Sequence, residues 1–444
     1  MTGGHWPVGS ASRWWLHHSL KALDGELRKL GSRLVIRQGG LFQTLAKLMA
    51  ETGAEAVYWN RVYEPGAIIR DKEIKRVLRE EGFTVETSNS ALLYEPWAIL
   101  KGGGEPYRVF TPFWKALQRT GLDLEPEPAP EAMPPVHDEV LSVELDRLQL
   151  LPRIAWDGGF YETWQVGEAA ARRRLSEFID DGLAGYKELR DRPDLPATSR
   201  LSPHLRFGEI SPRQIVHTIR RNCPPHAEAG AEAYIREIAW REFAYHLLFH
   251  FPHTADEPLD ARFAAFPWAE NHGAALAAWQ QGRTGFPIVD AGMRELWHTG
   301  WMHNLVRMIA ASLLTKNLLI PWQEGARWFW DTLVDADLAN NTLGWQWTAG
   351  CGADAAPYFR VFNPVLQGEK FDPEGTYVRR WVTELARLPA ACLHKPWQAP
   401  EAVLAAAGVR LGATYPRPMV DLQGSRERAL EAFGRIKGAG RAAR

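Results

Sequence analysis

The sequence lacks the features that define several common classes of protein. Its 444 residues include only Cys223, Cys351 and Cys392, which form neither a close pair nor a metal-binding spacing. This pattern argues against a disulfide framework and for a reducing, cytoplasmic compartment. The N-terminus shows no signal-peptide pattern. The most apolar stretch contains Arg307 and Lys316, so it predicts a buried helix and no membrane span.

A large net charge and a glycine-rich nucleotide-binding motif are also missing. The formal net charge is −1 at pH 7, so no global field recruits nucleic acid, and any such site must be a local patch. No G-x-G-x-x-G sequence marks a dinucleotide loop, and Gly102-Gly103-Gly104 predicts a bare turn. Tryptophan, in contrast, is abundant at 20 residues, and it suits both stacking on planar ligands and one-electron redox chemistry.

Helical and strand patterns alternate in residues 1–120. Leucines at steps of four and three predict a helix over 12–31. The predicted elements that follow are a strand at Leu34–Ile36, a helix at Leu41–Glu51, a strand at Ala56–Trp59, a helix at Ile69–Glu81 and a strand at Phe83–Glu86. This order is typical of an α/β domain with a parallel sheet, although it begins on a helix.

The rest of the chain predicts a linker and an all-α domain. Residues 121–160 are rich in proline and acidic side chains (E-P-E-P-A-P-E-A-M-P-P), which is typical of a linker on the surface. After Trp164 helical periods dominate to about Gly434, with few strand candidates. The predicted second domain therefore covers 161–434.

Three predicted helices each place an aromatic side chain next to polar groups. The first set is Asn341 and Trp345, on a helix from about Leu338. The second is Trp301, Asn304 and Met308, on a helix over Leu296–Leu319. The third is Glu237, Trp240 and Arg241, on a helix over Ala233–Phe249. Each set alone is more typical of core packing. Together they predict a planar, partly polar ligand gripped between helices, because buried amides need partners.

A phosphate site and two basic clusters are also candidates. Ser202-Pro203 predicts a helix start with Ser202 as N-cap, and Thr198, Ser199 and Arg200 precede it, which together suit phosphate binding. An ordinary capped helix is the alternative. The basic clusters are Arg200, Arg206, Arg213, Arg220, Arg221, His204 and His217, and separately Arg360, Lys370, Arg379 and Arg380. They are either solvated faces or a surface for a nucleic-acid backbone.

Several long motifs in order give the chain a family resemblance. They are A-T-S-R-L-S-P, W-R-E-F, G-R-T-G-F-P-I-V-D-A-G-M-R-E-L, T-G-W-M-H-N, D-A-D-L-A-N-N-T-L-G-W-Q-W and G-x-D-A-A-P-Y-F-R-V-F-N-P-x-x-Q-G-E-K-F-D. From about Phe160 to Trp397 the chain resembles the DNA photolyase/cryptochrome family, most of all class I cyclobutane pyrimidine dimer photolyases. Residues 10–117 resemble the antenna domain of that family more weakly.

The resemblance implies FAD in the helical domain and no metal. The residues implied for the cofactor are Tyr186, Thr198, Ser199, Arg200, Leu201, Ser202 and Tyr234 near its phosphates and ribityl chain, and Arg241, Asn304, Arg307, Asp335, Ala336, Asp337 and Asn341 around the flavin ring. Asn341 should face flavin N5. Arg307 and Asp335 should pair across helices, because a buried unpaired charge is costly.

The resemblance also implies a substrate and a reaction. Excited reduced flavin donates an electron to a cyclobutane pyrimidine dimer, the ring opens, and the electron returns. The implied substrate residues are Glu237, Trp240, Asn304, Met308 and Trp347. Glu237 would hydrogen-bond the pyrimidine edge, and the two tryptophans would stack on bases flipped out of the duplex. The partner is ultraviolet-damaged DNA, with no membrane and a monomeric protein.

Electron supply, antenna pigment and lesion choice follow from the same resemblance. Light should reduce oxidised FAD through Trp345, Trp322 and Trp268 in that order. Folate-binding relatives carry an Asn-Glu pair where this chain has Gly66-Ala67, so no tightly bound methenyltetrahydrofolate is expected, while a deazaflavin or second flavin stays open. Relatives that repair (6-4) photoproducts need a histidine where Asn304 stands.

Two rival functions remain at this stage. The first is a cryptochrome-type photoreceptor that signals through a partner, although Asn341 and the short end after Trp397 favour repair. The second is an inactive flavoprotein. Relatives begin with a strand, a helix and a strand before the helix that opens this chain, so the antenna domain is expected to be incomplete.

Overall fold

The structure is a computed structural model that describes residues 6–122, 125–355 and 359–442, with side chains up to residue 437. Ala356, Pro357 and Tyr358 of the last motif lie outside the described residues. The N-terminal part contains, in chain order, α1 (Ser10–Lys29), α2 (Leu41–Thr52), β1 (Ala56–Asn60), α3 (Pro65–Glu80), β2 (Thr84–Ser88) and α4 (Phe110–Thr120). β1 and β2 pair in parallel, with Ala56 opposite Thr84. The α/β prediction for this part is confirmed.

The strand predicted at Leu34–Ile36 is wrong. This segment is irregular, and its backbone bonds to the linker instead of to a strand. The amide of Ile36 donates to the hydroxyl of Ser142 at 2.9 Å, and the amide of Val143 donates to the carbonyl of Ile36 at 2.9 Å. A short apolar run needs partners for its backbone groups, and an extended linker satisfies them as well as a sheet does.

The rest of the chain is helical, as predicted. Its α-helices are α5 (Gly158–Thr163), α6 (Glu168–Glu177), α7 (Tyr186–Leu189), α8 (Ser202–Phe207), α9 (Pro212–Asn222), α10 (Glu228–His250), α11 (Gly273–Gln280), α12 (Pro287–Thr299), α13 (Asn304–Ser312), α14 (Trp322–Thr332), α15 (Leu338–Ala349), α16 (Pro364–Phe371), α17 (Thr376–Trp381), α18 (Ala390–Leu393), α19 (Glu401–Ala407) and α20 (Leu422–Ala442). The last helix continues beyond the end predicted near Gly434. No helix in the described ranges is long and apolar enough to cross a membrane.

The single helix predicted over Leu296–Leu319 is broken in two. α12 ends at Thr299, where Gly300 adopts a left-handed φ of +68°, and α13 starts at Asn304. A Cβ on Gly300 would lie 2.6 Å from the ring of Phe160, so only glycine fits the approach. The apolar periodicity continues across the gap, which is why the pattern did not reveal the break.

The break changes the position of Trp301. This residue lies between the two helices rather than on the face that carries Asn304 and Met308. It is 6% exposed and packs in a core cluster with Trp14 and Trp15 of α1. The prediction that Trp301 shares a helical face with the other two residues is therefore wrong.

The start of α8 also differs from the prediction by one residue. Leu201 is the N-cap, no side chain caps the helix, and Ser202 is its first residue. The predictions for α10 and α15 are confirmed, because α10 spans the interval that carries Glu237 and Trp240, and α15 starts at the predicted Leu338.

The first half of α1 packs on the helical part of the molecule. Trp15 donates its indole N–H to Glu209 at 3.0 Å, and both the amide and the hydroxyl of Ser10 donate to Asp331. Trp330 of α14 donates to the carbonyl of Pro7 at 2.7 Å. These contacts fix the N-terminal part against the helices that form the site.

Candidate functional site

The helices α10, α13, α14 and α15 surround a cavity of about 460 Å³. Twelve of the residues singled out from the sequence line it: Glu237, Trp240, Arg241, Asn304, Arg307, Met308, Asp335, Ala336, Asp337, Asn341, Trp345 and Trp347. Lining residues that the sequence did not reveal include Arg190 and Phe329. Apart from Trp301, the three predicted sets of aromatic and polar side chains therefore meet at one place.

One wall of the cavity carries the predicted ion pair. Arg307 donates from two nitrogens to the two oxygens of Asp335, at 2.8 and 3.2 Å, and donates from Nε to the carbonyl of Met302 at 2.7 Å. Asp335 is only 9% exposed. Such a bidentate pair fixes the direction of both side chains and balances the buried charge of Asp335 with the partly buried charge of Arg307.

The next wall is the first half of α15. Asp337 caps the helix by accepting the amide of Asn340 at 2.8 Å. Asn341 donates its amide to the carbonyl of Ala326 at 3.0 Å, which orients its side chain at the cavity wall. An amide held in this way can bind a polar atom of a ligand through its remaining oxygen and N–H.

The deep end of the cavity is aromatic. Trp345 lies opposite Gly325 of α14, where a Cβ would come within 2.0 Å of the indole, so the helices approach closely only because the residue is glycine. Ring centroids separate Trp345 from Phe329 by 5.0 Å and from Trp279 by 6.1 Å. The contact with Trp279 was not predicted, because α11 shows no polar motif that would have linked it to the site.

The open side of the cavity is formed by α10. Glu237 forms an ion pair with Arg190, and both side chains are about a quarter exposed. Burial alone would lower the pKa of Arg190, but the hydrogen bond and charge of Glu237 outweigh that cost, so the pKa is raised. Trp240 stacks on Phe110 of α4 at 3.7 Å, which fixes the indole beside the carboxylate.

The predicted phosphate residues lie beside this cavity rather than in it. Tyr186 and Tyr234 are buried edge to face at 5.1 Å, and the hydroxyls of Ser199 and Tyr234 are 2.8 Å apart. The guanidinium of Arg190 lies 5.7 Å from the ring centre of Tyr186 and also lines the cavity. Arg190 thus connects the two groups of predicted residues.

Backbone strain marks the same segment. Arg200 has a left-handed φ of +52°, which few non-glycine residues adopt, and Leu201 then donates its amide back to Ser199. The guanidinium of Arg200 lies 4.5 Å from the ring centre of Trp301 and 3.9 Å from the carboxylate of Glu295. Hydroxyls, a strained backbone and a fixed cation suit an anionic group.

Some predicted residues are not brought to the cavity wall. Thr198 and Ser202 do not line the cavity, and the hydroxyl of Ser202 accepts the indole N–H of Trp301 at 3.4 Å. Trp322 is fully buried in the main core of the helical part, and Trp268 packs against that same core. Their predicted order as an electron chain is neither supported nor contradicted by a ring contact in the described residues.

The first basic cluster does not form one surface. Arg206 donates to the carbonyl of Ala336, and Arg213 donates to the carbonyl of Leu93, so both are used in internal contacts. The second cluster remains outside: Arg360, Lys370 and Arg380 are exposed, while Arg379 bonds to neighbouring carbonyls. Arg220 and Arg221 of α9 are exposed as well, so both clusters keep some exposed basic groups.

His303 is the histidine nearest in sequence to the cavity. It caps α13 by accepting the amide of Leu305 at 3.3 Å and is 3% exposed. Burial lowers its pKa to about 4, so the imidazole is neutral at pH 7. Among the described residues, no cluster of three or more histidine, cysteine or carboxylate side chains could hold a metal ion.

Comparison with known proteins assigns these two parts of the chain to one family. Residues 234–435 match the model of the FAD binding domain of DNA photolyase, and residues 2–134 match the DNA photolyase model. A deoxyribodipyrimidine photo-lyase from Agrobacterium fabrum is 49% identical over 97% of this chain and 90% of its own length. Cryptochrome-1 of Arabidopsis thaliana is 38% identical over 98% of this chain and 65% of its own length.

A solved structure agrees with the sequence comparison. A bacterial class III photolyase from Agrobacterium tumefaciens superimposes with a TM-score of 0.93 at 48% identity, over 97% of this chain and 90% of that one. The fold class agrees with the expectation from the sequence. The chain therefore belongs to the DNA photolyase family, and its helical part carries the FAD-binding domain of that family.

Proposed function

We propose that this protein repairs cyclobutane pyrimidine dimers in DNA, using light absorbed by FAD. The observation that carries this proposal is the composition of the cavity. Two tryptophans, Trp240 and Trp347, line the same cavity as a carboxylate, Glu237, and the Arg307–Asp335 pair. Indole faces suit stacked bases, and the carboxylate suits a pyrimidine N–H.

The residues present fit the cofactor. The paired charges of Arg307 and Asp335 and the amide of Asn341 suit the polar edge of a flavin ring, while Ser199, Tyr234 and Arg200 suit its phosphates. When bound and reduced, FAD supplies an excited electron. The residues that line this one cavity would hold the flavin ring and the lesion side by side.

The other side chains act on the lesion. Arg190 forms an ion pair with Glu237 and orients its carboxylate, whose oxygens would accept the N–H of a pyrimidine base and orient the dimer. Asn304 begins α13 and is exposed toward the cavity, where its amide can bind a carbonyl of the second base. Met308 adds a polarisable apolar contact.

Which DNA lesion the protein repairs depends on whether a side chain of the cavity can donate a proton. Repair of a (6-4) product would need an acid at the position of Asn304, and an amide cannot supply a proton at neutral pH. His303 does not replace it, because its nitrogen caps α13 and its pKa is about 4. We therefore propose that cyclobutane dimers are repaired and (6-4) products are not.

DNA contact is proposed through the exposed basic residues Arg360, Lys370 and Arg380. Because phosphate contacts release counterions, binding of dimer-containing duplex should weaken steeply with added salt. The protein is proposed to act as a monomer in the cytoplasm, where its three free cysteines would stay reduced.

The second candidate is a blue-light photoreceptor, favoured by the alignment of 98% of this chain with a plant cryptochrome. One illuminated assay separates the two functions. An oligonucleotide carries either lesion and is incubated with the pre-reduced protein in light and in darkness. Light-dependent repair of the cyclobutane dimer alone is expected. Repair of the (6-4) product alone would contradict the lesion choice, and repair of neither would favour the photoreceptor.

The antenna pigment is a separate proposal. We propose that no methenyltetrahydrofolate binds tightly, because Gly66 offers no side chain and Ala67, on α3, is only 3% exposed. A deazaflavin or a second flavin remains the alternative pigment.

A further inference from the structure

The carboxylate of Asp337 is held on both oxygens. One oxygen accepts the amide and the side-chain N–H of Asn340, at 2.8 and 2.7 Å. The other accepts the phenol of Tyr245 on α10. Asp337 lines the cavity and is 6% exposed, while Tyr245 is 8% exposed and lies behind it. A carboxylate bonded on both sides has one position and one charge distribution.

The ring of Tyr245 is itself held from two directions. The guanidinium carbon of Arg241 lies 4.8 Å from its centre, and the ring of Tyr63 meets it edge to face at 5.9 Å. Burial, and then the charge of Asp337, raise the pKa of Tyr245 well above its ordinary value, so the hydroxyl keeps its proton and acts as a donor.

A second contact fixes the neighbouring carbonyl. Arg206 donates from Nε to the carbonyl of Ala336 at 2.6 Å, and another nitrogen of the same guanidinium lies 3.3 Å from Glu64. Tyr63 and Glu64 are adjacent and lie between β1 and α3. One loop of the N-terminal part therefore supports both side chains that fix the turn from Ala336 to Asp337.

We propose that Tyr245 is a positioning residue for the flavin, acting through Asp337. Its hydrogen bond fixes the carboxylate and partly neutralises its negative charge at the cavity wall. Without the donor, less of that charge is neutralised, and a negative charge beside the cavity disfavours adding electrons to a bound cofactor. This inference rests on the proposed flavin site.

The test compares two tyrosine variants of the flavin-loaded full-length protein. Tyr245→Phe removes the hydroxyl that Asp337 accepts. Tyr63→Phe is the matched control, because it removes a buried hydroxyl from the same ring pair, whose partner is Glu95 at 2.7 Å. The readouts are the reduction midpoint and the visible absorption of the bound flavin.

Tyr245→Phe should lower the reduction midpoint of the flavin by about 30 mV for a two-electron couple. At the wild-type midpoint, the ratio of reduced to oxidised flavin then falls about tenfold. The substitution should also shift the visible absorption bands. Tyr63→Phe should change neither. Equal midpoints for Tyr245→Phe and wild type would overturn the inference, and so would equal shifts in both variants, since loosened packing would then be the cause.

A third variant covers the case in which Tyr245→Phe does not fold. Replacing Tyr245 with 3,5-difluorotyrosine keeps the ring and the hydroxyl but makes the phenol a stronger donor. The midpoint should then rise, and an unchanged or lower midpoint would contradict the inference. A wild-type protein that binds no flavin would overturn the proposed function and this inference together, whereas a loaded wild type with these shifts absent overturns the inference alone.

Discussion

The N-terminal part and the helical part differ in how many apolar side chains their helices and strands bury. Around the two-stranded sheet the buried apolar residues are Met49, Ile74, Leu78 and Val85. In α2, Met49 is the buried residue, whereas α10 buries side chains along its whole length. The helical part forms its own core, but the N-terminal part has a small one.

Polar contacts make up for the small core. Glu242 of α10 accepts the amide of Leu93 at 3.0 Å, and Arg213 donates to the carbonyl of that residue at 3.0 Å. Arg241 donates to the carbonyl of Ala91. The segment after β2 is therefore positioned by side chains of the helical part. Chemistry and stability therefore both depend mainly on the helical part, which also orients the smaller N-terminal part.

The largest effect is expected from breaking the ion pair of the cavity. Asp335→Asn leaves the partly buried Arg307 without its charged partner, and breaking such a pair typically costs up to about 3–5 kcal/mol. Unfolding in denaturant should show this loss, and the purified protein should contain little flavin. Glu431→Gln, at an exposed ion pair on α20, is the control and should keep wild-type stability and flavin content. Full flavin content in Asp335→Asn would contradict the assignment of this pair.

Electron supply should also depend on the helical part alone. Trp322→Phe is expected to abolish nearly all photoreduction of oxidised flavin, followed by absorption under blue light with an external thiol. Dimer repair by chemically reduced protein should remain. Trp14→Phe, at an equally buried indole of α1, is the control and should photoreduce normally. Because Trp279 contacts Trp345, Trp279→Phe shows whether electrons use that contact instead.

The residues of the site were easier to predict from the sequence than the backbone that positions them. Glu237, Trp240 and Arg241 lie on a continuous helix, so their spacing alone placed them together. Asn341 and Trp345 on α15 followed the same rule. Helical periodicity fixes which side chains share a face, and it works wherever the helix is unbroken.

Where the backbone departs from regular structure, the sequence predicted less. Gly300 ends α12 in the left-handed region, and this removed Trp301 from the predicted face. Arg190 was missed because it precedes the recognisable motif and reaches Glu237 only through the fold. The segment Leu34–Ile36 has strand composition but bonds to the linker. Such contacts are set by tertiary structure rather than by local pattern.

The stability of the fold should depend on pH through Glu242, which lies where the helical part contacts the N-terminal part. Burial raises the pKa of Glu242 from 4.5 to about 7. A raised carboxyl pKa stabilises the fold below about pH 4.5, and this contribution, about 3 kcal/mol from the size of the shift, is lost as the pH rises through about 7. Glu242→Gln keeps an acceptor for Leu93 and should remove this pH dependence of unfolding. The same slope in the variant and the wild type would exclude Glu242 as its source.

The smallest effect is expected in the N-terminal part. Purified protein should show no near-ultraviolet absorption from stoichiometric folate, and adding methenyltetrahydrofolate should not increase repair per incident photon. Gly66→Asn with Ala67→Glu tests whether side-chain acceptors are what is missing. Stoichiometric folate in the wild-type protein would refute the proposal.

The most direct test applies one substitution at two positions of α10. Glu237→Gln removes the carboxylate at the cavity, and Glu242→Gln removes the carboxylate at the interface. Repair of a cyclobutane dimer per absorbed photon is measured with both variants pre-reduced and matched for flavin content. Glu237→Gln should lose about tenfold or more, the worth of a charge-assisted hydrogen bond, while Glu242→Gln should match the wild type. Equal repair by the two variants would contradict the account.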